Sequence, residues 1–403
     1  MNFFFASRRF AAAGVLGLVA TGAGLAAATP AFAAGPANDN FAFAQFLPGP
    51  NNSVGGRTIN ATAEAGEPAH GGRAPHASLW YKWTAPATGT AVFRTVNANT
   101  TFDTTMSVYT GTSLATLVSA GENDDTNVPG LTSTRSTVAF KAVKGTEYRI
   151  AVDGFGAATG DFTLTWNGND DFAAAETLSG ASGFFNAHNE ALTAEPGEPG
   201  HGGDAAHASA WYRWVAPISG IATVDSRQNN FASQLGVYTG TSVNALTSVA
   251  QSDPAKKAKV VFAAKAGTEY RIAVDGAGLD QGTEVFAFNV VAAKVNVGNA
   301  TVVEGAAGTK AVNVAVSLNT SAPAPVSVNF ATKDGTALAG SDYNAASGTV
   351  TFPAGFTTKF ITLTVKGDTV KEPTESFTVN LTKPTGGFAI GTGTGTVTIT
   401  NDD

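Results

Sequence analysis

The 403-residue chain sets 24 Lys and Arg against 31 Asp and Glu, for a formal net charge of −7, and contains no cysteine. An acidic balance without a basic stripe excludes the electrostatics of a nucleic-acid partner. The missing cysteines exclude disulfide staples, so the fold must hold by burial alone or by burial plus bound ions. Abundant Gly and Ala with frequent Thr and Val, and no long amphipathic run, predict many short strands joined by turns. The length predicts two or three domains.

The first 33 residues read as a targeting segment. MNFFFASRRF supplies a positive leader and AAAGVLGLVATGAGLAAA an apolar stretch, with Ala31-Phe32-Ala33 as the cleavage site and Ala34 as the first mature residue. The pair Arg8-Arg9 hints at a twin-arginine signal, but Phe10 follows it directly, which favours the ordinary secretory route. Beyond this segment no apolar run approaches the roughly 20 residues of a transmembrane helix. The mature chain is therefore expected to be exported and secreted or held at a bacterial cell surface.

Residues 34–293 carry a tandem repeat. Asn38-Asp39-Asn40-Phe41 returns as Asn169-Asp170-Asp171-Phe172, and GEPAHGGRAPHASLWYKWTAP from Gly66 returns as GEPGHGGDAAHASAWYRWVAP from Gly197. FDTTMSVYTG from Phe102 returns as FASQLGVYTG from Phe231, and GTEYRIAVDG from Gly145 returns unchanged from Gly267. A period of roughly 130 residues means two whole domains rather than turns of a solenoid. Within each copy, alternating segments such as TAVFRTV, STVAFKAV and FTLTW read as half-buried strands. We expect two β-sandwiches, residues 34–167 and 168–293.

The repeated GEP-H run offers ligand types for a metal: Glu67, His70 and His76, then Glu198, His201 and His207. The E-x-x-H spacing serves zinc or catalysis when a helix sets the ligands on one face, and this Gly-, Ala- and Pro-rich run leads straight into a strand. A scaffold role, with the imidazoles bonding backbone groups and anchoring the Trp/Tyr strand, stands beside zinc and catalysis. Trp80, Tyr81 and Trp83, with Trp211, Tyr212 and Trp214, read as packing residues rather than a sugar platform. The copies differ in acids. The first has Asp103 and Asn123-Asp124-Asp125, whereas the second has Ala232 and Gln251-Ser252-Asp253. These acids are either solvated turn residues or a cation site confined to the first copy. The NDNF block, the GEP-H run ahead of WY-x-W-x-AP, the VYTG block and the AVDG strand resemble the pre-peptidase C-terminal type of β-sandwich. That family implies accessory or adhesive modules, and no protease domain accompanies them here.

Residues 294–403 read as an immunoglobulin-like sandwich of seven strands: TVVEG, AVNVAVSL, VSVNFAT, GTVTF, FITLTVK, SFTVNL and TVTITN. Val312, Val314, Val316, Leu318, Val326, Val328, Phe330, Ile361, Leu363 and Val365 are expected to face its core. If strands alternate in direction, those of odd number end at one pole. Glu304 follows the first, Asp334 the third, Asp368 the fifth, and Asn401, Asp402 and Asp403 the seventh. Glu372 and Glu375 lead into the sixth. Carboxylates gathered in this way raise one another's pKa, and Ca²⁺ with its six to eight oxygen ligands resolves the repulsion. Separately solvated turn acids are the alternative.

The run DGTALAGSDY from Asp334 to Tyr343, with VVEG, GTVTF, KEPTESF and TITNDD around it, resembles the Calx-β signature of sodium–calcium exchangers and bacterial surface proteins. That resemblance implies calcium ligands at Glu304, Asp334, Asp368, Glu372, Glu375, Asp402 and Asp403, with the Val370 carbonyl among them. Gly367, Pro373, Thr374 and Asn401 depart from the exchanger pattern and imply fewer ions or weaker binding. No nucleophile elbow, zincin helix or Cys/His pair is present. The chain is therefore expected to be an all-β, non-catalytic, exported calcium-binding protein that acts in adhesion to an extracellular protein or glycan. The alternatives are a carbohydrate- or protein-binding accessory, or a metal-dependent hydrolase built on the GEP-H loops.

Overall fold

The computed structural model describes residues 35–128, 131–226, 231–254 and 258–402; the expected targeting segment 1–33 and Asp403 lie outside the described residues. Among the described residues the regular structure is strand apart from four short 3₁₀ turns, so the fold is all-β. No helix among them is long and apolar enough to cross a membrane.

The first repeat pairs two sheets. One has five strands in the order Gln45–Leu47, Leu79–Thr84, Glu147–Gly154, Thr104–Thr110, Val118–Asn123. The other has four, in the order Asn52–Arg57, Asp161–Asn167, Gly89–Arg94, Thr137–Ala142. Gln45–Leu47 runs parallel to Leu79–Thr84, and the other ladders are antiparallel. The second repeat reproduces the same order, from Glu176–Leu178 to Thr247–Gln251 and from Ser182–His188 to Lys259–Ala264. Sequence duplication is therefore also duplication of topology. Met106, Val108, Ile150, Val152, Phe93, Leu164 and Trp166 form the core between the first two sheets, with Leu235, Val237, Ile272, Val274 and Phe286 in the copy.

The alternating pattern predicts one solvated face for these strands, but the three central strands of the five-stranded sheet are buried on both. Thr105, Ser107 and Ala151 point away from the sandwich core and are still excluded from water. The cover is the GEP-H segment together with the turn Phe41–Phe43. Phe41, Trp80, Tyr109 and Ala151 pack there as a second small cluster. Phe41 meets the Trp80 ring edge-on at 5.1 Å. Full burial of a side chain such as Phe41 contributes about 1.5–3 kcal/mol. The Trp80 ring lies in this outer cluster while Tyr81 and Trp83 turn to the core, and all three are buried.

The third sandwich sets Thr358–Gly367, Gly308–Leu318, Lys294–Val297 and Ala389–Ile390 against Ala300–Val303, Thr394–Thr400, Glu375–Thr382, Val326–Lys333 and Ser347–Phe352. Its first strand is split. Lys294–Val297 belongs to one sheet, and after Gly298 and Asn299 the chain crosses to the other as Ala300–Val303. Burial along Gly308–Leu318 alternates as the pattern requires, with Val312, Val314, Val316 and Leu318 inside. Phe330, expected in the core, is only partly buried and packs at its rim.

Candidate metal centre

Strand pairing gathers one pole of the third sandwich. Ala300–Val303 runs parallel to Thr394–Thr400 with Val303 beside Thr400, so Glu304 and Asn401 leave their strands together. The Glu304 amide donates to the Thr400 carbonyl at 3.0 Å. Glu375 opens its strand opposite Ile399. Gly308 pairs with Gly367, which brings Asp368 against the Glu304–Gly305 turn. The approach is close: a β-carbon on Gly367 would stand 2.0 Å from the Gly305 carbonyl oxygen, so only glycine fits there.

Asp342, which the strand-end reasoning passes over, completes the group. Its carbonyl accepts from Lys366 N at 2.9 Å, and its neighbour Tyr343 bridges to Val365. These bonds lash the turn before the fourth strand to the end of the fifth. Carboxylate oxygens of Asp342, Glu372 and Glu375 all lie within 4.8 Å of one another. Glu304 is 5 % exposed. Burial pushes its pKa above the carboxylate range, and Asp368, Glu372 and Asp342 add to the shift. Glu375 is pushed up by burial, then by the adjoining Asp342, Glu372 and Glu304.

Around these acids the polar frame is complete. Asn401 bonds the Glu304 carboxylate and donates to the Val370 carbonyl at 3.0 Å. Asp368 accepts from Val370 N, and Asp402 from Gly305 N, each at 2.7 Å. Among the described residues no ion pair with Lys or Arg engages Glu304, Asp342, Glu372 or Glu375. Lys310 folds over Gly305 without forming one. A hard cation with an all-oxygen shell suits this donor set.

Of the sequence-derived ligands, Glu304, Asp368, Glu372 and Glu375 are brought together, and Val370 and Asp402 are bonded into the same turns. Asp334 stands apart from the close group. Its carboxylate accepts from Tyr343 Oη at 2.5 Å and Ala339 N at 2.9 Å, and the Tyr343 ring stacks on Phe377 at 3.8 Å. The available signal for Asp342 was the Asp-Tyr pair itself, an acid immediately before a tyrosine that buries.

The GEP-H loops show a different arrangement. The Glu67 carboxylate accepts from Trp80 Nε1 at 2.6 Å and from Ser78 Oγ, and stands 3.5 Å from His70 Nε2. His70 Nδ1 lies 3.1 Å from Tyr109 Oη, which donates to the Ala69 carbonyl. In the copy His201 Nε2 is 3.0 Å from Glu198 and Nδ1 2.7 Å from Tyr238 Oη. His201 thus bonds a carboxylate and a tyrosine hydroxyl rather than backbone groups, and His70 bonds the hydroxyl with Glu67 at ion-pair distance. Burial tends to raise the Glu67 pKa, but His70 and Ser78 bonded to the carboxylate outweigh it and leave the pKa lowered. His76 is absent from this cluster, and its backbone amide donates to Asp153 at 2.7 Å.

Residues 289–403 match the family described as Calx-beta domain. Among solved structures, the apo-form Calx CBD1 domain is 30 % identical over 28 % of this chain and 100 % of that one, with a TM-score of 0.25. The calcium binding domain CBD12 of CALX1.1 is 31 % identical over 27 % of this chain and 46 % of that one, TM-score 0.25. The Calx CBD2 domain is 19 % identical over 26 % and 85 %, TM-score 0.24. No curated protein matches the chain.

Proposed function

The chain carries a Calx-beta domain over residues 289–403, and from that premise we propose that it is a non-catalytic calcium-binding protein whose C-terminal sandwich is stiffened by the ion. The observation that carries this reading is the Asp342–Glu372–Glu375 group, three carboxylates within 4.8 Å beside the buried Glu304, with no cationic side chain paired to them among the described residues. Glu304, Asp342, Asp368, Glu372 and Glu375 would hold the ion, with Asp402 and the Val370 carbonyl at the edge of the site. Calcium supplies positive charge and a flexible oxygen-coordination shell. The protein's part is to deliver the acids from four separate stretches of chain, so that occupancy couples the turn before Tyr343 with those after Val303, Gly367 and Thr400. Calorimetric titration of the full chain with Ca²⁺ tests this. Binding that is reversed by chelator and abolished by Asp342→Asn with Glu375→Gln is expected, whereas no uptake at millimolar Ca²⁺ overturns the reading.

Export, surface location and adhesion to an extracellular protein or glycan belong to the same proposal. The basic-apolar leader, the cysteine-free tandem sandwiches and the acidic net charge support them. The state of the GEP-H loops supports the non-catalytic part of the reading: His70 and His201 are 0 % and 1 % exposed and turned to protein partners. The two repeats serve in this proposal as pre-peptidase C-terminal-type binding modules. A panel of glycans and matrix proteins, probed with and without Ca²⁺, distinguishes adhesion from a purely structural role.

A further inference from the structure

The first repeat holds a second acid group that the Calx-beta reading leaves unexplained. Carboxylate oxygens of Asp103, Asp124 and Asp125 lie within 4.8 Å of one another. Arg73 pairs with Asp124 at 3.1 Å, so three negative charges meet one positive and two remain uncompensated. Burial raises the Asp103 pKa, and Asp124 and Asp125 raise it further.

A second observation is independent of charge. Thr105 is 1 % exposed and its Oγ1 has no hydrogen-bond partner. In strand Thr104–Thr110, Met106 and Val108 enter the core, so Asp103, Thr105 and Ser107 share the opposite face. Met106 pairs with Asn123 on the neighbouring strand, which carries Asp124 alongside Thr105. The hydroxyl therefore shares this face with Asp103 and Asp124. Gly71 roofs it: its amide donates to Ser107 Oγ at 2.9 Å, and a β-carbon there would lie 3.1 Å from Thr105 Cβ. Asp103 Oδ1 and Asp124 Oδ1 are likewise shut from water without a partner. Buried oxygens left unsatisfied together call for a ligand.

The second repeat shows how the same place is filled when two of the three acids are absent. Ala232, Gln234 and Pro254 replace Asp103, Thr105 and Asp125, while Asp253 keeps the place of Asp124 and Ser252 takes that of Asn123. The Gln234 amide nitrogen, in the orientation its neighbours require, donates to the His201 and Gly202 carbonyls at 2.7 and 2.8 Å. Ser252 Oγ accepts from Leu235 N at 2.9 Å. One copy satisfies its polar atoms internally, and the other presents acceptor oxygens to something positive.

We infer that the first sandwich has its own site for a hard divalent cation, Ca²⁺ by its oxygen-only donors, held by Asp103, Asp124 and Asp125 with the Thr105 hydroxyl, and separate from the C-terminal pole. The test transplants the second repeat's solution: Asp103→Ala, Thr105→Gln and Asp125→Pro in the full chain, titrated with Ca²⁺ alone. The expected result is one fewer ion per chain with the C-terminal sites unaltered; unchanged stoichiometry overturns the inference. In a chain carrying Asp342→Asn and Glu375→Gln, one residual Ca²⁺ is expected and must vanish on adding the transplant. If the transplant disturbs the β circular-dichroism signal, the isosteric Asp103→Asn replaces it, with at least about tenfold weaker affinity at one site expected and an unaffected isotherm overturning the inference.

Discussion

Glu67 and Glu304 are both carboxylates withdrawn from water at the end or edge of a sheet, and the chain provides for them in opposite ways. Around Glu67 it supplies an imidazole, an indole N–H and a hydroxyl, and at Glu198 it repeats the imidazole with His201, while Ser209 turns to Asp275. Around Glu304 it supplies further acids, Asp368, Glu372 and Asp342. The first arrangement is closed and holds a loop onto a sheet. The second crowds like charges that protonation or an external cation would relieve. Metal-ligand residue types thus identify neither site; what distinguishes them is whether the surrounding structure already neutralises the charge.

The largest expected effect comes from opening the closed arrangement. Glu67→Ala leaves His70, Ser78 and Trp80 Nε1 buried without their acceptor and should cost about 3–5 kcal/mol in urea unfolding, with the calcium isotherm unchanged. Loss of calcium binding in this variant would break the contrast. Next is occupancy of the acidic pole. At a Ca²⁺ concentration near a hundred times Kd, the C-terminal transition in calorimetry should gain about 2.7 kcal/mol, and Asp342→Asn with Glu375→Gln should remove that gain.

Acidity sharpens the same point. Glu304 and Glu375 have folded pKa values raised above 4.5, so the folded state keeps protons that the unfolded chain has released. Their contribution is most favourable at low pH and is lost as pH rises from about 4.5 through the raised values. Without calcium, the C-terminal transition should therefore move to higher temperature as pH falls from neutrality toward that range. The upshift given by Ca²⁺ should shrink over the same interval, because protons compete for the carboxylates. A calcium effect independent of pH would show that the acids are not crowded. The smallest expected effect is Asp334→Asn. It weakens the bond from Tyr343 and should cost about 1 kcal/mol in stability, while calcium affinity falls far less than with Asp342→Asn. The reverse ranking would return Asp334 to the ligand shell.

Much of this was legible in one dimension. The repeat blocks announced two like domains, and the period of Val312, Val314, Val316 and Leu318 announced a strand with one buried face. Strand parity alone was enough to gather Glu304, Asp368, Glu372 and Glu375. Asp342 escaped because it lies in a turn between strands, and its position depends on the bond from Lys366 N and on the bridge between Tyr343 and Val365. The buried outer face of the central strands in the five-stranded sheets escaped for a related reason: Thr105 and Ser107 look like solvent-facing residues until the GEP-H loop is laid over them.

The order of apolar and polar residues along each strand fixed the all-β class and the inward faces, because side chains alternate by covalent geometry and burial follows. Which ionisable groups are satisfied and which are left crowded was decided only by tertiary structure. Electrostatic energy depends on distances between chain segments far apart in sequence and on the water excluded from between them, and neither is written into the spacing of residues.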